Sequence, residues 1–299
     1  MKKRALTTLL IVVMAAFSVT GCASGNGQNT SNEGNTAQKE EAAQQPSDNS
    51  KEDQSSAPKS PAGITADSPE EFMEKYIRTY LIDRTQDVST IWENCVSERT
   101  KSTGLISEQD YVNPIKQALF RYKYTDVLVI NEGEVQENIY KLTVTLKVVQ
   151  GNIENSLDEV CYVIDENGNY RLLLRGVTDV IYYSPESSEE SDFELKGLKA
   201  LITPDGITFS YELVNHSDQS VYLGPWASDM TIFLTMDDGQ VYSTSYSHMV
   251  TITPNNSDPE NPFFEGASGT PAELKFDTIT YLKENGMPES TTSYTVDLN

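Results

Sequence analysis

The chain has 299 residues, with 22 basic and 45 acidic side chains and a net charge of −23 at neutral pH. A protein this acidic is repelled by the phosphates of nucleic acids and by anionic lipid headgroups, which excludes nucleic acid as a partner. About 230 residues remain after the N-terminal region described below, enough for one large domain or two small ones.

The first 21 residues have the features of a secretory signal peptide. Lys2, Lys3 and Arg4 form a positive start, and residues 5–19 are apolar apart from two threonines and a serine. A membrane-spanning helix needs about 20 apolar residues, so this stretch is too short to cross a bilayer comfortably. A basic start followed by a short apolar stretch predicts a cleaved signal peptide that is absent from the mature fold.

A short motif follows at the end of the apolar stretch, Val19-Thr20-Gly21-Cys22. It resembles the lipobox of bacterial lipoproteins, in which a small residue precedes a cysteine that receives a diacylglyceryl group. The resemblance implies lipidation of Cys22 and anchoring at the extracytoplasmic face of the cell membrane. One acyl chain anchors only reversibly, and the two or more chains of this family make the anchor firm. The alternative is an ordinary signal peptide with an incidental cysteine.

Residues 22–66 have the composition of a disordered linker. After Cys22 they contain no aromatic residue and a single branched aliphatic residue, Ile64. Such a segment cannot bury enough apolar surface to offset the entropy lost on ordering. We therefore expect a flexible stalk with an r.m.s. reach of about 35–40 Å between the membrane and the folded domains.

Residues 67–184 combine helix signals with later strand signals. Ser68-Pro69-Glu70-Glu71 offers an N-cap, a proline at the first helical position and a capping box, and predicts a helix start. Apolar residues recur at helical spacing in this helix, over 88–96 and again after Ser107. Strands are predicted at 126–131, 140–149, 160–164 and 170–174, with 177–183 continuing the last of them after a kink.

Helices followed by antiparallel strands make an α+β domain. This order of elements resembles the nuclear transport factor 2-like cone fold, which implies helices packed on a curved antiparallel sheet around a pocket. Catalytic members place an Asp–His or similar pair in that pocket, and residues 67–184 contain no histidine. Tyr76, Tyr80 and Trp92 are therefore candidates for lining a ligand pocket. The alternative is that these three aromatic side chains form the core.

Cys95 and Cys161 are the two remaining cysteines. Outside the cytoplasm such a pair can form a disulfide, and the alternative is two separate buried thiols. Two cysteines on different elements with no histidine nearby do not make a zinc site.

A calcium loop is the other metal site that the sequence raises. Asp165, Asn167 and Asn169 alternate as in such a loop, but Gly176 occupies the position of the bidentate glutamate. We therefore predict a hairpin turn, and neither a metal nor a cofactor.

Residues 185–299 are predicted to form a second domain, after an acidic and serine-rich break at 184–192. Short strands alternate with Gly-, Asn- and Asp-containing turns, a spacing typical of a β-sandwich. The strands are predicted at 193–202, 207–214, 230–236, 240–243, 249–252, 271–282 and 291–298.

Two segments of this domain resemble the immunoglobulin-like sandwich domains of many Gram-positive lipoproteins. They are 211–217, a strand that ends in a polar turn, and 269–274, which enters a late strand. The cysteine pair of antibody domains is absent, so the resemblance concerns architecture. It implies adhesion or protein recognition rather than chemistry.

Neither of the two histidines, His216 and His248, is accompanied by a motif that would single out a triad nucleophile. We therefore expect a non-catalytic, membrane-anchored module that binds a protein or a small ligand at the cell surface. The alternative is a hydrolase that acts on cell-wall or extracellular carbohydrate through a pair of carboxylates.

Overall fold

The structure is a computed structural model that describes residues 63–185, 191–226, 228–246 and 250–299. The predicted signal peptide, Cys22, most of the predicted linker and His248 lie outside the described residues. Helices packed on an antiparallel sheet come first, and two further antiparallel sheets in a sandwich-like arrangement follow.

The first domain begins with the capped helix that the sequence predicts. Helix α1 spans Pro69–Ile77, and the Ser68 hydroxyl accepts a hydrogen bond from the Glu71 amide at 3.2 Å. A π-helical turn, Arg78–Ile82, continues α1. The other helical segments are the 3-10 turns Val88–Thr90 and Leu174–Gly176 and the helices α2 (Ile91–Cys95), α3 (Glu98–Ser102) and α4 (Glu108–Arg121).

The helices pack on one face of a four-stranded antiparallel sheet whose strands lie in sequence order. The strands are β1 (Lys123–Gln136), β2 (Ile139–Gln150), β3 (Ile153–Asp165) and β4 (Tyr170–Leu172). Side chains alternate along the predicted strand β2, where Leu142, Val144, Leu146 and Val148 are buried against the helices, and Ile139 is buried at its start. Strands β1 and β3 extend beyond the predicted ranges. Their outer ends are exposed and carry few apolar residues, so the sequence there has no strand pattern.

The chain leaves this sheet through a tight turn after β4. Arg175 (φ 59°) and Gly176 (φ 66°) both adopt left-handed backbone conformations there. A Cβ atom at Gly176 would lie 2.8 Å from the Tyr162 ring, so glycine is required. The turn redirects β5 (Asp179–Tyr182), which pairs with the next sheet. The structure therefore differs from the prediction that 177–183 continues the first sheet.

Two antiparallel sheets follow and share one apolar core. Their strands are β6 (Phe193–Thr203), β7 (Gly206–Asn215), β8 (Ser220–Leu223), β9 (Met230–Met236), β10 (Val241–Tyr246), β11 (Thr251–Ile252), β12 (Ser257–Glu260), β13 (Phe263–Glu265), β14 (Pro271–Leu282) and β15 (Pro288–Asp297). One sheet has the order β12-β7-β6-β5, with β13 also on β7. The other has the order β10-β9-β14-β8-β11, with β15 also on β14. Tyr211 and Phe276 meet edge to face between the sheets, with ring centroids 5.8 Å apart.

Most strands of this domain lie where the sequence predicts them, and β9 and β14 match residue for residue. The short strands β8, β12 and β13 were not predicted, because so few residues carry too little alternation to be recognised. Pro259 lies in β12 at the edge of its sheet, where a missing backbone N–H is tolerated.

The two domains contact each other through the turn between β6 and β7. Asp205 in this turn accepts a hydrogen bond from the Tyr162 hydroxyl and forms an ion pair with Lys141 at 3.0 Å. Lys141 and Tyr162 are paired on β2 and β3, on the face opposite the helices. The second domain therefore covers one end of that face.

The folded part starts slightly before residue 67, the predicted domain boundary. Ile64 and Ala66 pack against the first core, and the Thr65 carbonyl accepts a hydrogen bond from the Lys75 ammonium at 2.9 Å. Among the helices in the described ranges, none has the length and apolar character that a bilayer crossing needs.

Candidate functional site

The aromatic residues predicted to line a pocket lie in the core of the first domain. Tyr76 and Tyr80 are fully buried, and Trp92 is 8% exposed. The Tyr76 and Tyr80 rings are 5.7 Å apart, and Trp92 lies 6.2 Å from the Tyr111 ring. The structure therefore places these residues as packing groups, not around an open cavity.

The hydroxyls of Tyr76 and Tyr80 also point inward and find partners in the protein. The Tyr76 and Tyr111 hydroxyls lie 3.1 Å apart. The Tyr80 hydroxyl donates to Gln86 at 3.0 Å and accepts from the buried Asn94 amide at 3.4 Å. Buried polar groups with internal partners stabilise a core and do not need a ligand.

Both cysteines of the first domain are free and buried in this core. The structure thus differs from the disulfide hypothesis and has the two separate thiols of the alternative. Burial raises the pKa of Cys95 and of Cys161 from 9.0 to about 12, because the thiolate loses its hydration. These thiols are therefore protonated and unreactive at neutral pH.

We expect the first domain to lose stability as the pH rises above 9. The unfolded thiols titrate near pH 9.0 and the folded ones near 12, so unfolding in this window releases protons and is favoured by high pH. Urea midpoints measured from pH 7 to 10 should fall at the alkaline end. The double variant Cys95→Ala and Cys161→Ala should show a weaker fall. Equal pH dependence in the wild type and the double variant would contradict this expectation. So would a wild-type chain whose thiols stay unreactive after it is unfolded in urea.

A small cavity lies beside this core, between α1 with its π-helical turn and strands β2 and β3. Its volume of about 10 Å³ is enough for one water molecule. Glu159 is the one carboxylate in its lining, which otherwise consists of Met73, Ile77, Leu81, Val144, Leu146 and Cys161. Burial raises the pKa of Glu159. A glycosidase needs two carboxylates and room for a sugar, and this cavity has neither.

The other candidate chemical groups have structural partners. His216 contacts the Glu194 carboxylate at 2.8 Å. The Asp165 carboxylate accepts a hydrogen bond from the Gly168 amide, which closes the predicted hairpin turn between β3 and β4. In the described part of the chain, no three His, Cys, Asp or Glu side chains come together as a metal site would require.

An apolar surface lies on the opposite side of the first sheet. Leu128 and Ile130 on β1 and Val160 on β3 are 58%, 51% and 42% exposed. The pairing places Ile130, Thr143 and Val160 in one row across the sheet. Leu128, Thr145 and Asp158 form the next row. We call these six residues the open face.

Hydrogen bonds and charge define the borders of the open face. The Thr145 hydroxyl donates to Asp158 at 2.6 Å, and the Thr143 hydroxyl donates to Glu132. Lys147, in the row beyond Leu128, binds Asp126 at 3.1 Å. The open face therefore has aliphatic side chains on β1 and β3, two threonines between them on β2, and acidic side chains at Asp158 and at the adjoining Glu132.

The open face was not predicted from the sequence. The strands at 126–131, 140–149 and 160–164 were predicted, but not which of their side chains are neighbours on the exposed face. The missed signal is the continuous apolar run 127–130 in β1, Val-Leu-Val-Ile. A run of this kind places apolar side chains on both faces of a strand.

Comparison with known proteins gives no family for this chain. No protein-family model matches it, and no curated protein matches it significantly.

Proposed function

We propose that this protein is an extracytoplasmic lipoprotein, anchored through Cys22, that binds another protein through the open face. The observation behind the proposal is the exposure of three aliphatic side chains on one face of the first sheet: Leu128 and Ile130 are neighbours on β1, and Val160 lies across Thr143 on β3. Large apolar side chains grouped on a surface are typical of sites where another macromolecule binds.

The packing of the first domain disfavours a small-ligand site within that domain. Ligand sites are usually concave, with volumes of about 300–1,000 Å³, whereas the cavity beside the core measures about 10 Å³. The open face is instead a sheet surface, which suits the broad contact area of a protein interface.

The fold supports the two family resemblances as part of this proposal. Helices on one face of an antiparallel sheet are what a nuclear transport factor 2-like domain requires. Two sheets around one core are what an immunoglobulin-like domain requires. Both are architectures in which exposed sheet surfaces are available for recognition.

The proposal predicts that one partner contacts all three apolar residues of the open face. A photo-reactive amino acid placed at Leu128, Ile130 or Val160 of the full-length chain in intact cells should give an adduct of one common mass. The reason is that these side chains gain about 1.5–3 kcal/mol each from complete burial. Phe120 on α4 is 93% exposed and serves as the control position.

A second substitution tests whether the adduct depends on the open face. Ile130→Asp should remove the adduct formed at Val160, because a charge would be buried in the contact. Adducts of the same mass from Phe120, or no common adduct from the three positions, would contradict the proposed function.

A further inference from the structure

We infer that the partner supplies an extended segment that adds as a strand to the outer edge of β1, with basic residues preceding alternate aliphatic side chains. This inference rests on the proposed function, because it specifies the chemistry of the partner and how it docks beside the open face.

The edge of β1 is available for strand addition. β1 is the first strand in the order β1-β2-β3-β4 and pairs with β2 on one side. On its other side no strand of the described chain is paired. Strand backbone groups point alternately to the two sides, so this outer edge presents amides and carbonyls that a further strand can bind.

Irregularities in β1 limit where a strand can add. Register shifts occur between Tyr124 and Asp126 and again between Asn131 and Gly133. Such bulges twist an edge away from further pairing. The regular segment between them, 126–131, contains the apolar run of the strand. The docking site is therefore a short, apolar and regular stretch of edge whose outward side chains, Leu128 and Ile130, belong to the open face.

The two ends of this stretch differ in charge. Asp126 at the first end is paired with Lys147 at 3.1 Å and lies 3.9 Å from Arg78. Glu132 and Glu134 follow the other end, and no cation pairs with either among the described residues. Antiparallel pairing is the more stable geometry, and it places the start of an added strand beside Glu132 and Glu134. Basic residues are therefore expected before the aliphatic ones.

Charge also disfavours a second copy of this chain as the occupant. Antiparallel pairing of two β1 strands centred on Val129 would place Asp126 directly opposite Glu132. Like charges in opposed positions destabilise a strand pair. The net charge of −23 adds repulsion between two copies.

Two labelled peptides test the charge part of the inference. One is Lys-Lys-Thr-Val-Thr-Val-Thr and the other is Glu-Glu-Thr-Val-Thr-Val-Thr, each titrated into the full-length chain in detergent micelles at low salt. Anisotropy should show about tenfold tighter binding of the lysine peptide, as expected for two exposed ion pairs. The double variant Glu132→Lys and Glu134→Lys should reverse this preference. The control Glu265→Lys and Glu284→Lys has the same net charge, and its preference should stay unchanged.

A backbone modification tests strand addition itself. N-methylation of alternate peptide residues should abolish binding for one set, whose amides face β1, and spare the other set. Equal effects of both sets would overturn strand addition, and an unreversed preference in the Glu132→Lys and Glu134→Lys variant would overturn the charge assignment. Neither result changes the photo-adducts at Leu128, Ile130 and Val160 in cells. Those adducts test the proposed function separately. A wild-type dimer that the peptide dissociates would assign the edge to a second copy and overturn the inference.

Discussion

Replacing Cys22 by alanine is expected to abolish membrane retention of this protein. The motif Val19-Thr20-Gly21-Cys22 predicts that the sulfur of Cys22 carries the lipid and that the preceding apolar stretch is removed. Each buried methylene of an acyl chain contributes about 0.8 kcal/mol to membrane binding, so loss of the chains removes nearly all of the affinity. Fractionation of cells should find the variant in the medium or the soluble fraction.

Labelling with a fatty-acid analogue provides a direct measurement of the same change. Wild-type protein should be labelled, and the Cys22→Ala variant should not. Cys95→Ala is the matched control, since it removes a buried thiol and leaves the lipobox intact. Equal labelling of wild type and Cys22→Ala would contradict the lipidation of Cys22. An unlabelled wild type would favour the ordinary signal peptide.

The proposed anchor and the acidic charge together explain why we expect the partner at the cell surface. A chain held outside the cytoplasm by a linker can sample a shell tens of ångströms deep around its anchor. Within that shell, the excess of acidic over basic side chains attracts basic proteins and repels acidic polymers. The uncompensated Glu132 and Glu134 beside the open face would direct such a basic partner to one end of β1.

Sequence patterns were most informative where one face of an element is buried and the other is solvated. The cap at Ser68 and the alternation through β2 and β14 give such patterns, and the structure has these elements where they were predicted. The predicted path after β4 is wrong, because the turn at Arg175 and Gly176, where Gly176 packs against the Tyr162 ring, directs β5 to the next sheet. Such tertiary constraints leave no periodicity in the sequence.

The candidate site shows the same limit. The sequence identified Tyr76, Tyr80 and Trp92 by residue type, but residue type does not distinguish a pocket wall from a packed core. The open face was not predicted, because Leu128 and Val160 are far apart in the chain. Only the pairing of β1, β2 and β3 places them on the same face of one sheet. Strand register decides which side chains become neighbours, and composition does not determine register.

Truncation of Trp92 to alanine is expected to destabilise the first domain by about 3–5 kcal/mol without a specific loss of partner binding. The indole is almost fully buried and packs near Tyr111, so its removal leaves a cavity among residues that cannot all move to fill it. Trp92→Phe retains most of the packing and should cost much less. Circular dichroism during urea unfolding of the full-length chain measures both changes.

Tyr80→Phe separates hydrogen bonding from packing in the same core. The variant keeps the ring but removes the hydroxyl that bonds to Gln86, Thr90 and Asn94. The buried Asn94 amide would lose that acceptor, which costs about 1–3 kcal/mol. At temperatures where each variant remains folded, the adduct formed at Ile130 should be as strong as in the wild type. A variant that keeps its stability but loses this adduct would identify the aromatic cluster as part of a binding site, because packing alone cannot produce that combination.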